Sequence, residues 1–375
     1  MSDIFSGRKM RIAFFHELPP GGARRAVNEY ARNLKKNHII DLYITEHKST
    51  NEKTFYTNIF NFPFSPKNWQ GNNWKVRLYK DSMELYQLYK LHRKIANHID
   101  NGKYNVAFVS ASRYIQTPFI TRFLKVPFIY FSHDPFYRII YDSFLAIPKD
   151  IDVFRYLYEK LNRFVRKILE RENVNYASIF VVPSKFISDL FDKTYNKRAG
   201  IVYYGVDSSF FKPGNINKDI DIFYIGSHHF IDGYEFLKDV LNRMKLKPKT
   251  RLLLTDIEWI SDDKKLRELY RRSRIVVCTA YREGLGMVAL EAMSCGIPVV
   301  AVDEAGHKET VIDGFTGYLL ERDPQKMAKK LDYLLKHPEQ ISKLGKQARE
   351  TILRKWSWPK RTEELENILL KHAIF

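Results

Sequence analysis

The chain has little cysteine and no long apolar run. Only Cys278 and Cys295 are present among 375 residues, which disfavours a disulfide scaffold and a Cys-rich metal site. Both lie in predicted buried elements, so we expect core thiols in a reducing compartment. The first residues lack the apolar stretch of a signal peptide, and no run approaches the roughly 18 uncharged apolar residues of a membrane span. These absences favour a cytoplasmic protein, or one bound to a membrane at its inner face.

Acidic residues are too few to balance the basic ones. Lys and Arg number 62 against 43 Asp and Glu, which gives a formal net charge of +19 and a pI near 9.6. This charge predicts a polyanionic partner, either nucleic acid, anionic lipid, or phosphorylated donors and acceptors. The sequence contains no helix-turn-helix, zinc-finger or RNP pattern, so we expect no nucleic acid.

Two β-turn-α openings divide the chain. Residues 10–15 form an apolar strand that leads through the sequence PPGG at residues 19–22 into a helical pattern. Residues 220–225 form another strand, which ends at Gly226 and precedes a helix over residues 234–246. Each opening begins an alternation of strands and helices. The sequence therefore predicts an α/β protein with two Rossmann-like, doubly wound domains whose strand C-terminal ends face a shared cleft.

Further strands of the first domain are predicted over residues 105–110 and 127–132. Residues 181–183 are expected to close its sheet. Residues 205–213 are typical of an interdomain connector, so we expect the boundary near residue 205. The predicted domains are residues 1–204 and 205–355.

The segment that most restricts function is residues 282–300, REGLGMVALEAMSCGIPVV. A predicted strand over residues 275–280 precedes it, and residues 287–295 form an apolar helix closed by glycine. Glu283 then lies in the loop after the strand, and Glu291 lies one to two turns into the helix. Both carboxylates can face one crevice beside free backbone N–H groups. A surface-loop Glu and a solvated helix Glu would be the simpler interpretation of the pair alone, but the glycines favour the crevice.

This segment resembles the Glu-x7-Glu signature of family 4 glycosyltransferases, which are retaining enzymes of the GT-B fold with activated-sugar donors. The resemblance implies that Glu283 contacts the donor sugar and Glu291 the nucleotide ribose. It also implies contacts of the sugar and phosphates with the intervening turn, Gly284, Leu285, Gly286 and Met287. Leu285 stands where the family usually has Phe.

The same resemblance extends to the first domain and the last helix. Gly21-Gly22 would line the acceptor side of the cleft, before a helix N-terminus that favours anions. His133 would lie close to the reacting sugar, with Asp134 as orienter of the imidazole or as acceptor contact. Residues 356–375 are expected to cross back onto the first domain. By itself His133-Asp134 would more often be a capping pair, and no Gly-x-Ser-x-Gly elbow supports a triad with Ser132.

The expected site residues fall into three groups. They are His133, Asp134 and Glu283 for catalysis; Gly226, Ser227, His228, Lys185, Glu291 and the turn Gly284, Leu285, Gly286, Met287 for the donor; and His16, Gly21, Gly22 and Arg24 on the acceptor side.

One departure from the family concerns the donor diphosphate. After the strand that ends at Gly226, the family usually places an Arg and, about five residues later, a Lys; this chain has Ser227 and Asp232. Two charge-assisted hydrogen bonds to phosphate are thereby missing. Other groups could replace them, namely His228, His229, Lys185, Arg282 or Lys308. A monophosphate-linked or lipid-linked donor, a bound cation, or loss of activity are the remaining explanations.

Two segments combine aromatic and basic residues, 55–89 and 137–169. Such a combination suits an interface with anionic lipid, where rings lie at headgroup level and cations meet the lipid charge. An ordinary surface helix with a loop held to the core by aromatics explains it equally well.

The sequence thus predicts a glycosyltransferase that moves a sugar from a nucleotide-sugar donor to a hydroxyl acceptor, without cofactor or metal. Retention is implied by the resemblance alone. Glycolipid, cell-surface polysaccharide or glycan assembly is the expected context, with a lipid-linked acceptor and an anionic membrane surface as further expected partners. The alternative is a basic peripheral-membrane or polyanion-binding protein on a GT-B scaffold that has lost catalysis, because of Ser227 and Asp232. A sugar-nucleotide epimerase is a weaker third hypothesis.

Overall fold

The computed structural model describes residues 8–46, 52–66, 78–134, 151–258, 260 and 262–375. Parts of both aromatic-basic segments, residues 67–77 and 137–150, lie outside the described residues. The chain divides into two compact units. The first unit contains Met1–Pro183, Ile187–Val202 and Thr362–Phe375, and the second contains Ser184–Phe186 and Tyr203–Arg361.

The first unit is built on a seven-stranded sheet in the order β3-β2-β1-β4-β5-β6-β7, with every pair parallel. Its elements are β1 (Arg11–Glu17), α1 (Gly22–Leu34), β2 (Ile39–Ile44), β3 (Asn58–Asn61), α2 (Leu85–Asp100), β4 (Val106–Ser112), β5 (Phe128–Phe131), α3 (Val153–Asn175), β6 (Phe180–Val182), α4 (Lys185–Tyr195, which starts in the second unit) and β7 (Gly200–Ile201). A π-helical turn, Lys80–Glu84, leads into α2, and a 3₁₀ helix, Phe119–Arg122, precedes β5.

The central strands of this sheet are apolar on both faces. In β1, Ile12 pairs with Ile40 on one side and with Val106 on the other, and all three side chains are buried. Helices cover both faces of such a parallel sheet, so its strands are continuous apolar runs. The prediction that residues 181–183 close the sheet is wrong, because β7 pairs with β6 beyond them. A two-residue strand is too short to produce a periodic pattern.

The second unit has a five-stranded parallel sheet in the order β12-β11-β10-β8-β9. Its elements are β8 (Ile220–Gly226), α5 (Tyr234–Arg243), β9 (Thr250–Leu254), α6 (Asp263–Arg272), β10 (Ser273–Cys278), α7 (Met287–Ser294), β11 (Val299–Val302), α8 (His307–Thr310), β12 (Gly317–Leu320), α9 (Pro324–Lys336), α10 (Pro338–Lys355) and α11 (Trp358–His372, which ends in the first unit). Two doubly wound α/β units are therefore present, as predicted. The strand order reverses between β8 and β10, which is where ligands bind in open sheets of this kind.

The two cysteines are free and buried, as expected from the sequence. Burial raises the pKa of the Cys295 thiol to about 12. Burial also raises the pKa of Cys278, which ends β10. Both thiols therefore remain protonated and act as core side chains.

The end of the chain belongs to the first unit. His38 Nε2 lies 2.8 Å from Glu366 Oε1, and Asn105 Nδ2 donates to the Ile374 carbonyl over 2.6 Å. Leu365 and Leu369 are completely buried. Packing and polar contacts together thus hold residues 362–375 on this unit. The resemblance expected residues 356–375 to cross back onto it.

Removal of one buried leucine of α11 should destabilise the first unit. We expect Leu369→Ala to lower the free energy of unfolding by about 2–5 kcal/mol, because it leaves a cavity in a packed site. Urea denaturation followed by circular dichroism measures the change. Leu353→Ala is the matched control, since Leu353 is 52% exposed, and it should change stability by less than about 0.5 kcal/mol. Equal stability of the two variants would contradict the packing of α11.

Candidate active site

Three loops of the second unit meet at the C-terminal ends of β8, β10 and β11. The Tyr281 amide donates to the Ile231 carbonyl over 2.6 Å, which joins the first two loops. The Gly306 amide donates to the Glu283 carbonyl over 2.9 Å, which joins the second and third. A Cβ on Gly306 would lie 2.6 Å from Leu285 Cα, so this approach requires glycine. The loops form one crevice edge beside the point where the strand order reverses.

Glu283 stabilises the turn that follows β10. Its Oε1 accepts a hydrogen bond from the Gly286 amide over 3.2 Å, and Gly286 has a φ of 96°. Arg282, next to it, also has a positive φ, 53°, which a non-glycine residue rarely adopts. The Gly286 amide, expected to be free, therefore has a partner within the turn. The Gly284 carbonyl accepts from Ser184 Oγ over 2.6 Å, Leu285 is buried, and Met287 begins α7.

Glu291 lies on α7 with little exposure to solvent. The residue is 2% exposed, and Tyr270 Oη donates to its Oε2 over 2.9 Å. Tyr270 belongs to α6 and packs edge-on against the rings of Phe211 and Phe223. This packing fixes the hydroxyl and, through it, one carboxylate oxygen. The sequence does not indicate Tyr270, because it lies on the apolar side of an amphipathic helix and looks like an ordinary core aromatic.

The loop after β8 contains the two residues that replace the expected cations. Asp232 Oδ2 accepts from the Ser227 amide over 2.8 Å and also from Ser227 Oγ. The two residues therefore form a hydrogen-bonded pair within the loop that follows Gly226. His228, a candidate replacement cation, has its Nδ1 2.6 Å from Asp256 Oδ2.

Carboxylates also contact two further candidate residues, Lys308 through its side chain and Lys185 through its backbone amide. Lys308 Nζ lies 3.3 Å from Asp303 Oδ1. The amides of Lys185 and Phe186 donate to the two carboxylate oxygens of Glu309, over 2.8 and 2.9 Å. The N-terminus of α4 is thus already neutralised by a carboxylate from α8.

In the first unit, Arg24 is bound by two carboxylates that the sequence did not indicate. Its guanidinium donates to Glu46 over 2.6 Å and to Glu52 over 2.7 Å. Burial opposes the charge, but these hydrogen bonds prevail and raise the pKa of Arg24. Gly21, which precedes α1, has a φ of 154° and open space where a Cβ would stand. Gly22 is the first residue of α1, so the predicted β-turn-α opening is present.

Two histidines, His16 buried and His133 partly buried, lie near the ends of β1 and β5. His133 Nε2 lies 2.6 Å from Ser110 Oγ, and burial, helped by nearby His16, lowers the pKa of His133 to about 3. Burial lowers the pKa of His16 to about 4, although Glu52 opposes the shift. Both imidazoles are neutral at pH 7. Ser110 Oγ is thus a hydrogen-bond partner of the His133 imidazole, and the backbone carbonyl of Asp134 accepts a hydrogen bond from Gln116 Nε2.

A buried pair that the sequence did not indicate lies beside this histidine cluster. His92 Nε2 is 3.1 Å from Glu17 Oε1, and Thr45 Oγ1 donates to the same oxygen over 2.9 Å. Burial alone would raise the pKa of Glu17, but His92 and hydrogen bonds from Ser112 and Thr45 lower it. The end of β1 therefore carries a fixed carboxylate directly before the glycine turn.

Comparison with known proteins agrees with this architecture. Residues 229–351, about a third of the chain, match the family described as glycosyl transferases group 1. Sucrose-phosphate synthase from Thermosynechococcus elongatus has a similar structure, with a TM-score of 0.70 at 16% identity over 96% of this chain and 98% of that one. The chain has the GT-B fold.

Two more similarities are to a solved structure and to a curated sequence. Anabaena Alr3699/HepE in complex with UDP-glucose has a TM-score of 0.69 at 16% identity, over 96% of this chain and 100% of that one. An uncharacterized glycosyltransferase of Methanocaldococcus jannaschii, MJ1178, is 29% identical over 196 residues, 47% of this chain and 55% of that one. The chain spans about half the length, or less, of the curated relatives that it matches.

The neutral histidines predict a pH dependence of stability. Because their native pKa values lie below the unfolded value of 6.5, unfolded chains bind protons that the native state does not. The stability they contribute is complete above pH 6.5 and is lost as the pH falls towards 4. We expect His16→Gln to reduce the slope of unfolding free energy against pH by about 1.4 kcal/mol per unit in this window. Urea denaturation at several pH values measures the slope. The control is His229→Gln, a change at an exposed histidine. An unchanged slope in His16→Gln would contradict the assigned contribution of His16.

The contact between Tyr270 and Glu291 predicts a stability effect without any ligand. Tyr270→Phe keeps the ring packing but removes a hydrogen bond to a buried carboxylate. We expect the free energy of unfolding to fall by about 1–3 kcal/mol. Thermal and urea denaturation test this against Tyr333→Phe, a change at a 45% exposed ring. Wild-type stability of Tyr270→Phe would mean that its hydroxyl does not stabilise Glu291.

Proposed function

We propose that this protein is a family 4 glycosyltransferase that transfers a sugar from a nucleotide-sugar donor to a hydroxyl acceptor with retention of configuration. The observation that carries the proposal is the position of Glu283 and Glu291 beside the strand-order reversal between β8 and β10. The family match over residues 229–351 includes both glutamates. Assembly of glycolipid, cell-surface polysaccharide or another glycan is the proposed setting.

The donor is proposed to bind at the loops of the second unit. Glu283 would accept hydrogen bonds from the sugar hydroxyls, and Glu291, oriented by Tyr270, would accept them from the ribose. The N-terminus of α7 favours the negative charge of the phosphates. Because the Gly286 amide bonds to Glu283, donor binding would exchange this bond for one to the ligand. The relative crystallised with UDP-glucose makes that nucleotide sugar the first donor to test.

The Ser227-Asp232 pair changes how the diphosphate would be neutralised. Asp232 is a carboxylate, so the loop after β8 would repel phosphate unless other groups compensate. Arg282, in the strained turn before Glu283, is the basic side chain that we propose for this role. Metal independence stays a prediction.

In the first unit, His133 is proposed to contact the sugar that is transferred, and His16 to lie on the acceptor side. Neutral imidazoles can donate or accept hydrogen bonds, and they add no positive charge beside an anomeric carbon that becomes positive in the transition state. Glu17 and the Gly21-Gly22 turn are proposed to lie on the acceptor side.

Separate variants of the two glutamates should have different effects. We expect Glu291→Gln to weaken nucleotide binding about 10–100-fold, because a charge-assisted hydrogen bond to ribose is lost. Glu283→Gln should retain nucleotide binding and lower kcat about 100-fold. Calorimetric titration with UDP, GDP and ADP gives the affinities, and transfer from the corresponding glucose donors gives the rates.

The control for this experiment is Glu339→Gln on exposed α10, which should match the wild type in both measurements. Full transferase activity in both site variants would overturn the assigned roles. An absence of nucleotide binding by the wild-type protein would instead favour a scaffold that has lost catalysis.

A further inference from the structure

Helix α3 packs on the first unit mainly through polar residues, with Leu169 and Val174 as apolar contacts near its end. Tyr158 Oη and Asn162 Nδ2 donate to Asp81 Oδ2 over 2.8 and 2.9 Å, and Arg166 Nη2 donates to Asp81 Oδ1 over 2.6 Å. The three residues follow one another at intervals of four, which places them on one side of the helix. A single carboxylate before α2 thus binds the N-terminal half of α3.

The C-terminal half of α3 is held in the same way. Glu170 accepts from the Thr117 amide over 3.0 Å, and Asn173 Nδ2 donates to the Thr117 carbonyl over 2.7 Å. Tyr195 Oη donates to Glu170 over 3.1 Å. Glu170 and Asn173 continue the polar side that begins at Tyr158, so polar contacts attach the helix along its length.

The opposite side of α3 is apolar and exposed. Six large side chains recur there at helical spacing: Phe154, Leu157, Leu161, Phe164, Val165 and Ile168. We call them the outward face. Phe154 is 72% exposed and Phe164 is 60% exposed. A surface helix of a soluble domain normally has the reverse arrangement, and clustered exposed apolar side chains mark interaction sites.

The charge around the outward face is mostly positive. Lys160, Lys167 and Arg171 recur at helical spacing along one edge of the face. The acidic residues of α3 up to that point, Glu159 and Glu170, are both buried. The exposed part of the helix is therefore apolar and basic from residue 153 to residue 171. Glu172, one turn after Ile168, is an exposed acidic residue, and its Oε2 lies 3.7 Å from Arg122 Nη1.

We infer that the outward face of α3 docks on an anionic lipid bilayer, with the helix lying in the plane of the interface. Apolar side chains enter the boundary between headgroups and acyl chains, and the basic edge meets lipid phosphates. Among the described residues, no helix is both long enough and apolar enough to cross a bilayer. The proposal rests on α3 alone and does not depend on the proposed transferase activity.

A second copy of the chain is the less suitable occupant. Two outward faces packed together would bring two sets of Lys160, Lys167 and Arg171 close to one another, and like charges across an interface repel. A bilayer of anionic lipid supplies the opposite charge and has no fixed shape to match.

Vesicle co-sedimentation of the full chain tests the inference. We expect the protein to sediment with vesicles of phosphatidylcholine and phosphatidylglycerol, and to do so less as ionic strength rises. Vesicles of phosphatidylcholine alone should bind at least about tenfold more weakly, because the charge term is absent. Equal binding to both compositions, or no binding to either, would overturn the inference.

Two pairs of variants assign the binding to α3. The double variant Leu161→Ser, Phe164→Ser should lower the partition coefficient of the protein between water and vesicles at least about tenfold, because two apolar side chains that would enter the bilayer are lost. The control pair, Ile257→Ser with Leu353→Ser, alters exposed apolar residues of the second unit and should bind as the wild type does. A second double variant tests the basic edge. Lys160→Gln with Lys167→Gln should lower vesicle binding roughly tenfold, because two charges that meet lipid phosphates are lost. Its control is Lys343→Gln with Lys346→Gln on α10.

Two further measurements exclude other occupants of the outward face. The Leu161→Ser, Phe164→Ser variant should melt at the wild-type temperature, since exposed side chains contribute little to stability. A lower melting temperature would mean that the chain itself covers this face and would overturn the inference. Light scattering that finds a dimer in the wild type but not in the variant, with vesicle binding unchanged, would assign the face to a second copy.

Discussion

The loops of the second unit depend on carboxylates that bind backbone amides. Glu283 accepts from Gly286, Asp232 from Ser227, and Glu309 from the first residues of α4. Backbone N–H groups at loop and helix starts need partners, and this chain provides its own. The same groups would attract an anion. Hydrogen bonds that a phosphate could replace therefore hold the loops after β8 and β10 and the start of α4. The backbone amides that order these loops are the same ones that could bind an anion.

The unusual pair in the β8 loop follows the same principle. Ser227 and Asp232 stand where two cations are expected, and they bind each other through both the amide and the hydroxyl of Ser227. The substitutions thus form one local unit rather than two independent losses. In the first unit, polar groups are likewise satisfied in pairs, with Arg24 between Glu46 and Glu52, and Glu17 beside His92. For Arg24 and Glu17 these partners outweigh burial and favour the charged form, which raises the pKa of Arg24 and lowers that of Glu17.

Sequence patterns predicted the strands and the main turns well, but they predicted few of the side-chain contacts. The strands β1, β4, β5, β8 and β10 and the glycine turn before α7 lie within a few residues of their predicted positions. Glu46, Glu52, Ser110 and Tyr270 were missed, because each meets its partner only where separate strands or helices come together. Ser110 and His133 are 23 residues apart in the chain, and their contact depends on the parallel pairing of β4 with β5. Neither local propensity nor spacing contains that information.

Helix α3 shows most clearly which features the sequence determines and which the tertiary structure determines. The sequence by itself determined that residues 153–175 have an apolar side and a polar side, since both recur with the period of a helix. It also determined the excess of positive charge and the alternation that gives two doubly wound units. Only the tertiary structure decided that the polar side of α3 faces inward, because Asp81 and Thr117 lie there to satisfy it. Periodicity fixes that a helix has two sides, whereas the partners available in the fold decide which one is buried.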